Sequence, residues 1–202
     1  VFTSPAILDV LGVGMRLYQK SGLQRLTRAS GLLDRLPMNL GKLERLLPPM
    51  QGSVVKAALP EVTRPRGEPV AKVALIAGCV QDQFFSLTNA ATVRVLARNG
   101  CEVVVPRGQA CCGALHSHGG ERETARALAR RNISMFERTG ADFYIINAAG
   151  CGSTLKEYHH LLADDAKWTE RAHEFSSKVR DVSEFLATLN LDRGFRTIHR
   201  RV

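Results

Sequence analysis

Residues 73–105 read VALIAGCVQDQFFSLTNAATVRVLARNGCEVVV, and this stretch decides the fold. Residues 73–77 form a short apolar run closed by Gly78, the mark of a strand buried on both faces. Leu87, Ala90, Ala91, Val95 and Leu96 then recur at helical spacing over 86–98, and Asn99-Gly100 is a helix C-terminus. Residues 101–105, closed by Pro106, read as a second buried strand.

The alternation continues downstream. A helix is predicted over 120–138 with Ala125, Leu128, Ala129, Ile133 and Phe136 on its inner face, stopped at Gly140. A third strand follows over 143–146. The next helix is predicted to start near Thr154, whose hydroxyl and Glu157 fit a reciprocal cap, and Asp181 with Glu184 repeats that pattern before a last helix reaching Leu189. Strand and helix in strict turn predict an α/β domain, a parallel sheet between two helical layers with right-handed crossovers. In such sheets ligands sit beyond the carboxyl ends of the strands.

Upstream, residues 1–50 read as short amphipathic helices. Leu8, Leu11, Met15 and Tyr18 form one apolar stripe, and Leu32, Leu33, Leu36, Leu40, Leu43, Leu46 and Leu47 a second, each needing a partner to cover it. Residues 48–70 carry Pro48, Pro49, Pro60, Pro65 and Pro69 among scattered basic groups, which is linker composition. The expected organisation is therefore a helical and Pro-rich basic segment over 1–70, the α/β domain over 71–190 and a basic tail over 191–202. The start at Val1, with no charged-then-apolar leader, reads as a piece of a longer chain.

The chain of 202 residues is 45% hydrophobic and 23% charged, which excludes wholesale disorder. Its longest uncharged apolar stretch, residues 143–155, is shorter than the roughly 18 residues of a spanning helix and carries Gly and polar groups. The net charge is +9, yet residues 71–190 hold 14 basic and 13 acidic groups, so the excess sits in the flanks. With aromatics at only 6%, this argues against a nucleic-acid binder. No Gly-x-Gly-x-x-Gly follows the first strand, so the sheet is not prepared for NAD. Gly119-Gly120 makes a poor phosphate cradle beside Glu121 and Glu123.

Five cysteines, an odd number without a secretory mark, suit metal or redox chemistry better than stapling. Cys79 follows the first strand, Cys111 and Cys112 the second, and Cys151 the third. Three separate loops thus bring four thiols to one edge of the sheet, with Gly78-Cys79 and Gly150-Cys151-Gly152 giving the backbone freedom. Cys101 opens the second strand at the other edge and reads as a small buried apolar residue. Soft thiolates suit iron–sulfur clusters or zinc. The spacing is neither that of a zinc ribbon nor the tight run of bacterial ferredoxins. An adjacent Cys-Cys pair serves one tetrahedral ion badly and a multi-iron cluster better.

The order Cys79, then Cys111-Cys112-Gly113, then Cys151 resembles the cysteine-rich CCG domain, which occurs in heterodisulfide reductases, in lactate-utilisation iron–sulfur proteins and in glycolate oxidase iron–sulfur subunits. Thr88-Asn-Ala-Ala-Thr-Val-Arg-Val-Leu96, Cys112-Gly-Ala-Leu-His116, Ala149-Gly-Cys-Gly152 and Lys156-Glu-Tyr158 are similar to the glycolate oxidase branch in particular. The resemblance covers about residues 70–190, and the helical region before them more loosely. It implies an electron-transfer module of a flavin-linked 2-hydroxy-acid dehydrogenase. Cys79, Cys111, Cys112 and Cys151 would bind the cluster, and backbone N–H groups of the Gly-rich loops would hydrogen-bond its sulfurs. A flavoprotein (FAD) subunit would oxidise glycolate, and electrons would pass on to an acceptor such as quinone. The implied location is cytoplasmic, including the inner face of the cytoplasmic membrane. In full chains of the family a ferredoxin-like domain precedes this part and a second CCG repeat follows it. The fuller motif ends in Cys-x-x-Cys, whereas Thr154 stands here at the last position. Four ligands suffice for a cubane [4Fe–4S] cluster, whereas the noncubane arrangement draws on a fifth thiol that this motif lacks.

Two other readings remain beside it. The thiols could hold structural zinc, or no metal, in a domain that only docks subunits. Alternatively one of them could be a nucleophile with His116 or His118 as base, although a hydrolase has no need of three further thiols. The two histidines could also be cluster ligands, donors to a cluster sulfur, or simply solvated. His159 and His160 read as solvent-facing, His173 and His199 as lacking ligand-type companions, Arg126, Arg130, Arg131 and Arg138 as a solvated helix face, and Trp168 as packing.

Overall fold

Val73, Ala74, Leu75 and Ile76 are all essentially inaccessible to solvent, which places their strand at the centre of a covered sheet. The computed structural model describes residues 4–54 and 58–191; from residue 192 the expected basic tail, His199 included, lies outside the described residues. Five strands, β1 (Val62–Thr63), β2 (Ala71–Ile76), β3 (Cys101–Val104), β4 (Phe143–Ile146) and β5 (Val179–Asp181), pair in the order β1-β3-β2-β4-β5. All pairs are parallel except β1 with β3. Because β3 and β4 flank β2 on opposite sides, the chain reverses direction across the sheet at β2, a switch point that leaves a crevice at the strand ends.

The helices divide between the two faces. Ala74, Ile76, Tyr144, Ile146 and Val179 pack against α7 (Arg122–Glu137), α8 (Ala149–Lys156), α9 (Tyr158–Leu161) and α10 (Thr169–Lys178). Val73, Leu75, Cys101, Val103 and Ile145 pack against α5 (Ser86–Arg98) and α11 (Val182–Leu186). The α/β reading with three layers holds. All five residues predicted to face inward from α7 are buried. The capping box at Asp181 and Glu184 is present, with Asp181 Oδ1 accepting from Ser183 N at 2.8 Å and Glu184 from Asp181 N at 3.0 Å.

Four readings are corrected. The helix placed near Thr154 begins at Ala149, and Thr154 sits inside it with its hydroxyl donating to Gly150 O. The small residues Gly150, Cys151 and Gly152 let that first turn close over β4, where a Cβ on Gly152 would meet Ile146 Cγ2 at 3.2 Å. The inner face of α5 is mixed rather than apolar: Leu96 is buried as expected, with Val93, but Asn89 and Thr92 are buried too, whereas Leu87 and Val95 are exposed. The stretch read as linker contributes the edge strand β1, and Gln51 N donates to Phe84 O. The three-residue strand β5 was not foreseen, having only Val179 as a buried apolar signal.

The N-terminal segment comprises α1 (Pro5–Lys20), α2 (Leu23–Ser30), two 3-10 turns and α3 (Leu40–Arg45). Its leucines largely stand exposed, Leu26, Leu32, Leu43 and Leu46 among them. What α1 buries against the domain is Gly12 and Arg16, beside α4 (Cys79–Phe84). A further short helix, α6 (Ala114–His118), follows the Cys111-Cys112 loop. Among the described residues no helix is long and apolar enough to cross a membrane.

Candidate functional site

Three turns at the carboxyl ends of β2, β3 and β4 carry the four thiols. Gly78, at φ +71° and ψ 146°, adopts a conformation only glycine takes readily and turns the chain from β2 into α4, whose first residue is Cys79. Gly113, at φ +87°, does the same between Cys112 and α6, and a Cβ there would press on Ala125 at 3.4 Å. Cys151 stands in the first turn of α8 rather than in a loop.

The sulfurs meet: Cys79 Sγ donates to Cys111 Sγ at 3.5 Å, and Cys112 and Cys151 pack into the same cluster of side chains. Cys111 and Cys112 are buried and the other two half-buried; all are free thiols. Hydrogen bonds from Cys112 and Cys79 and from the Gly113 N–H pull Cys111 down to about 2, making it the first thiolate. Its neighbours move differently: hydrogen bonding with Cys111 raises Cys79 and Cys112, while hydrogen bonding with Cys112 lowers Cys151. The Gly113 N–H donates to Cys111 Sγ at 3.5 Å, and backbone hydrogen bonding at Val80 and Ala114 acts to lower Cys79 and Cys112. Cys101 lies on the other face, raised to about 11 by burial alone.

Side-chain amides staple the three turns, and sequence reasoning missed them. Gln109 accepts from Ala77 N and donates to Leu75 O, both at 2.9 Å, tying the Cys111 loop to β2. Asn89 donates to Ala77 O at 2.9 Å and accepts from Asn147 at 2.9 Å, joining the ends of β2 and β4. Asn132 donates to Cys111 O at 3.0 Å and to Tyr158 Oη at 3.1 Å, while Tyr158 donates to Cys112 O at 2.8 Å. Polar residues on the buried face of a predicted helix were the available signal.

His116 joins the site and His118 does not. His116 Nδ1 pairs with Glu121 at 2.8 Å, its Nε2 is buried without a partner, and its charge contributes to lowering Cys111. His118 is exposed. Elsewhere, His173 has a companion after all, its ring 4.8 Å from that of His159. Arg130 is paired with Asp165 at 2.7 Å, and Arg131 donates to Gly108 O, so that helix face is engaged rather than merely solvated. Trp168 packs against the core beneath Arg171, whose guanidinium lies 3.9 Å from the ring centroid.

Four soft donors, backbone hydrogen bonding to three of them and the unpartnered His116 Nε2 suit an iron–sulfur cluster. Among the described residues no group of three or more His, Cys, Asp or Glu is disposed to hold a metal ion. Cys79 and Cys111 are drawn together by an S–H···S bond, and metal binding requires the thiols to deprotonate and separate.

The family model of the cysteine-rich domain CCG matches residues 73–156, and that of the linker region of glycolate oxidase iron-sulfur subunits matches residues 1–47. The chain is 45% identical over 174 residues to a probable glycolate oxidase iron-sulfur subunit of Bacillus subtilis, covering 86% of this chain and 39% of that protein. It is 35% identical over 118 residues to lactate utilization protein A of Bacillus velezensis, and 36% identical over 114 residues to that of Shouchella clausii. Those matches cover 58% and 56% of this chain, and 49% and 47% of the relatives. The chain thus spans between about two fifths and one half of these relatives. By its thiol-bearing turns and its sequence alike, residues 73–156 are a cysteine-rich domain of the CCG family.

Proposed function

We propose that this chain is an electron-transfer module in which Cys79, Cys111, Cys112 and Cys151 hold a [4Fe–4S] cluster. The observation that carries this reading is the convergence of four thiols from three turns, with Cys79 Sγ 3.5 Å from Cys111 Sγ and with Cys112 and Cys151 packed into the same cluster. Bound there, a cluster would supply one-electron transfer. The N–H groups of Val80, Gly113 and Ala114 stabilise thiolate charge, and His116 offers one more polar contact. The module serves an iron–sulfur subunit of a flavin-linked 2-hydroxy-acid dehydrogenase, with glycolate as the substrate of a flavoprotein partner and a quinone-type acceptor downstream. Similarity to the glycolate oxidase linker region and iron-sulfur subunit supports that assignment over the lactate-utilisation one. On this reading it works on the cytoplasmic side, where it can meet a membrane acceptor peripherally.

Iron and acid-labile sulfide analysis of anaerobically purified protein, with visible and EPR spectra, tests the reading. Cys112→Ser should lower bound iron several-fold while Cys101→Ser leaves it at the parent level. Equal iron in both variants would count against the ligand set, and a colourless sample with stoichiometric zinc would replace electron transfer by a structural role.

A further inference from the structure

Arg16 is 1% exposed, although arginine remains charged at every physiological pH. Its Nη1 donates to Gln83 Oε1 at 3.4 Å and its Nη2 to Gln83 O, while its Nε is buried with no acceptor. Gln83 stands one turn after Cys79 on α4, and a Cβ at Gly12 would collide with the Gln83 amide, so α1 lies directly on the helix that begins with Cys79. Arg16, Cys79 and Cys111 line one cavity of about 560 Å³. Burying a cation is costly unless an anion shares the low-dielectric space. Asp9 and Asp82 line the same cavity and share that space with Arg16, Asp9 accepting from Gln83 at 2.7 Å and Asp82 from Asn89 at 3.2 Å.

We propose that Arg16 is a counter-charge to the thiol centre, delivered by the N-terminal segment, and that it raises the reduction potential of the cluster held by Cys79, Cys111, Cys112 and Cys151. The inference rests on the cluster reading above. A cluster with four thiolate ligands gains one negative charge on reduction, and a fixed cation in the same cavity favours the reduced form. For charges roughly 10 Å apart at an effective dielectric of about 20, the effect is of the order of tenfold in the reduced-to-oxidised ratio. Arg16 thereby gives the N-terminal helices a part in the redox site.

Anaerobic redox titration of the whole chain, followed by visible absorption and EPR with iron measured on the same samples, tests this. Arg16→Met should lower the reduced-to-oxidised ratio at the parent midpoint by about tenfold. Arg16→Lys, which keeps the charge, should stay close to the parent. Asp9→Asn, which removes an opposing charge and keeps an acceptor for Gln83, should move the ratio the other way. A parent-like potential in Arg16→Met, or an equal shift in Arg16→Lys, overturns the proposal. Should Arg16→Met fail to retain iron, Asp9→Asn decides, and an unchanged or lowered potential there refutes it. A parent chain that binds no iron would instead remove the cluster reading itself.

Discussion

Tyr158 and Asn132 show how a thiol site is held by residues that never touch a metal. Both are buried, and between them they occupy the carbonyls of Cys111 and Cys112 and each other. A buried carbonyl stripped of its donor costs the desolvation it no longer recovers, about 1–3 kcal/mol. Tyr158→Phe keeps the ring stacked on Phe175 at 5.3 Å and removes only the hydroxyl. It should lower the unfolding free energy by about that amount, read as a lower urea midpoint at unchanged slope, and reduce iron retention, with the near-native core preserved. Unchanged stability and iron in Tyr158→Phe would show that the hydroxyl does not brace the Cys111-Cys112 loop. Gln109 and Asn89 brace the other two turns by the same means, which explains why α5 buries Asn89 alongside Val93 and Leu96.

At the level of elements, each cysteine position depends on how a strand hands over to a helix. Gly78 makes the turn at β2 so sharp that Cys79 becomes the first residue of α4, and the small residues after Ala148 let α8 begin before Cys151. The last element relies on a side-chain cap. Asp181 closes β5 and caps α11, whose Phe185 plugs the second core against Phe143 at 5.3 Å between ring centroids. Asp181→Ala should cost about 1 kcal/mol, read as a lower urea midpoint at unchanged slope. A larger loss would mean that Phe185 leaves the core with the helix. Within the same box Glu184 is held below the usual carboxylate range, first by Lys156, whose ammonium lies 2.7 Å away, and then by the Asp181 N–H.

Taken whole, the molecule is an α/β domain with a helical segment laid against its site edge. That segment is organised around Glu44, which accepts from Tyr18 of α1 at 3.2 Å and from Gln24 and Arg28 of α2 at 2.7 and 2.8 Å. The Arg28 hydrogen bond, ahead of those from Gln24 and Tyr18, holds the Glu44 carboxyl below its ordinary value. A carboxyl depressed in the folded state stabilises fully above its unfolded pKa, and that contribution is lost as pH falls through the folded value. The segment should therefore loosen below about pH 4. Hydrogen exchange in residues 5–45 should rise between pH 5 and pH 3, after correction for intrinsic rates, while the sheet stays protected. In Glu44→Gln the segment should already exchange faster at pH 5, and a parent-like profile would remove Glu44 as its organiser.

The alternation of apolar strands with helical stripes, and four thiols placed after three strand ends, were legible in the sequence because period and spacing are local properties. The α/β class, the inner face of α7, the Asp181 cap and the meeting of Cys79, Cys111, Cys112 and Cys151 all follow from them. Tertiary structure alone decided what pairs across long separations. It gave β1 an edge on β3, started α8 at Ala149 by letting Gly152 close on Ile146, aimed Asn89, Gln109, Asn132 and Tyr158 at distant carbonyls, and buried Arg16 of α1 against Gln83 of α4. A buried polar side chain is chosen by the partner it finds, and that partner lies tens of residues away, where no local pattern announces it.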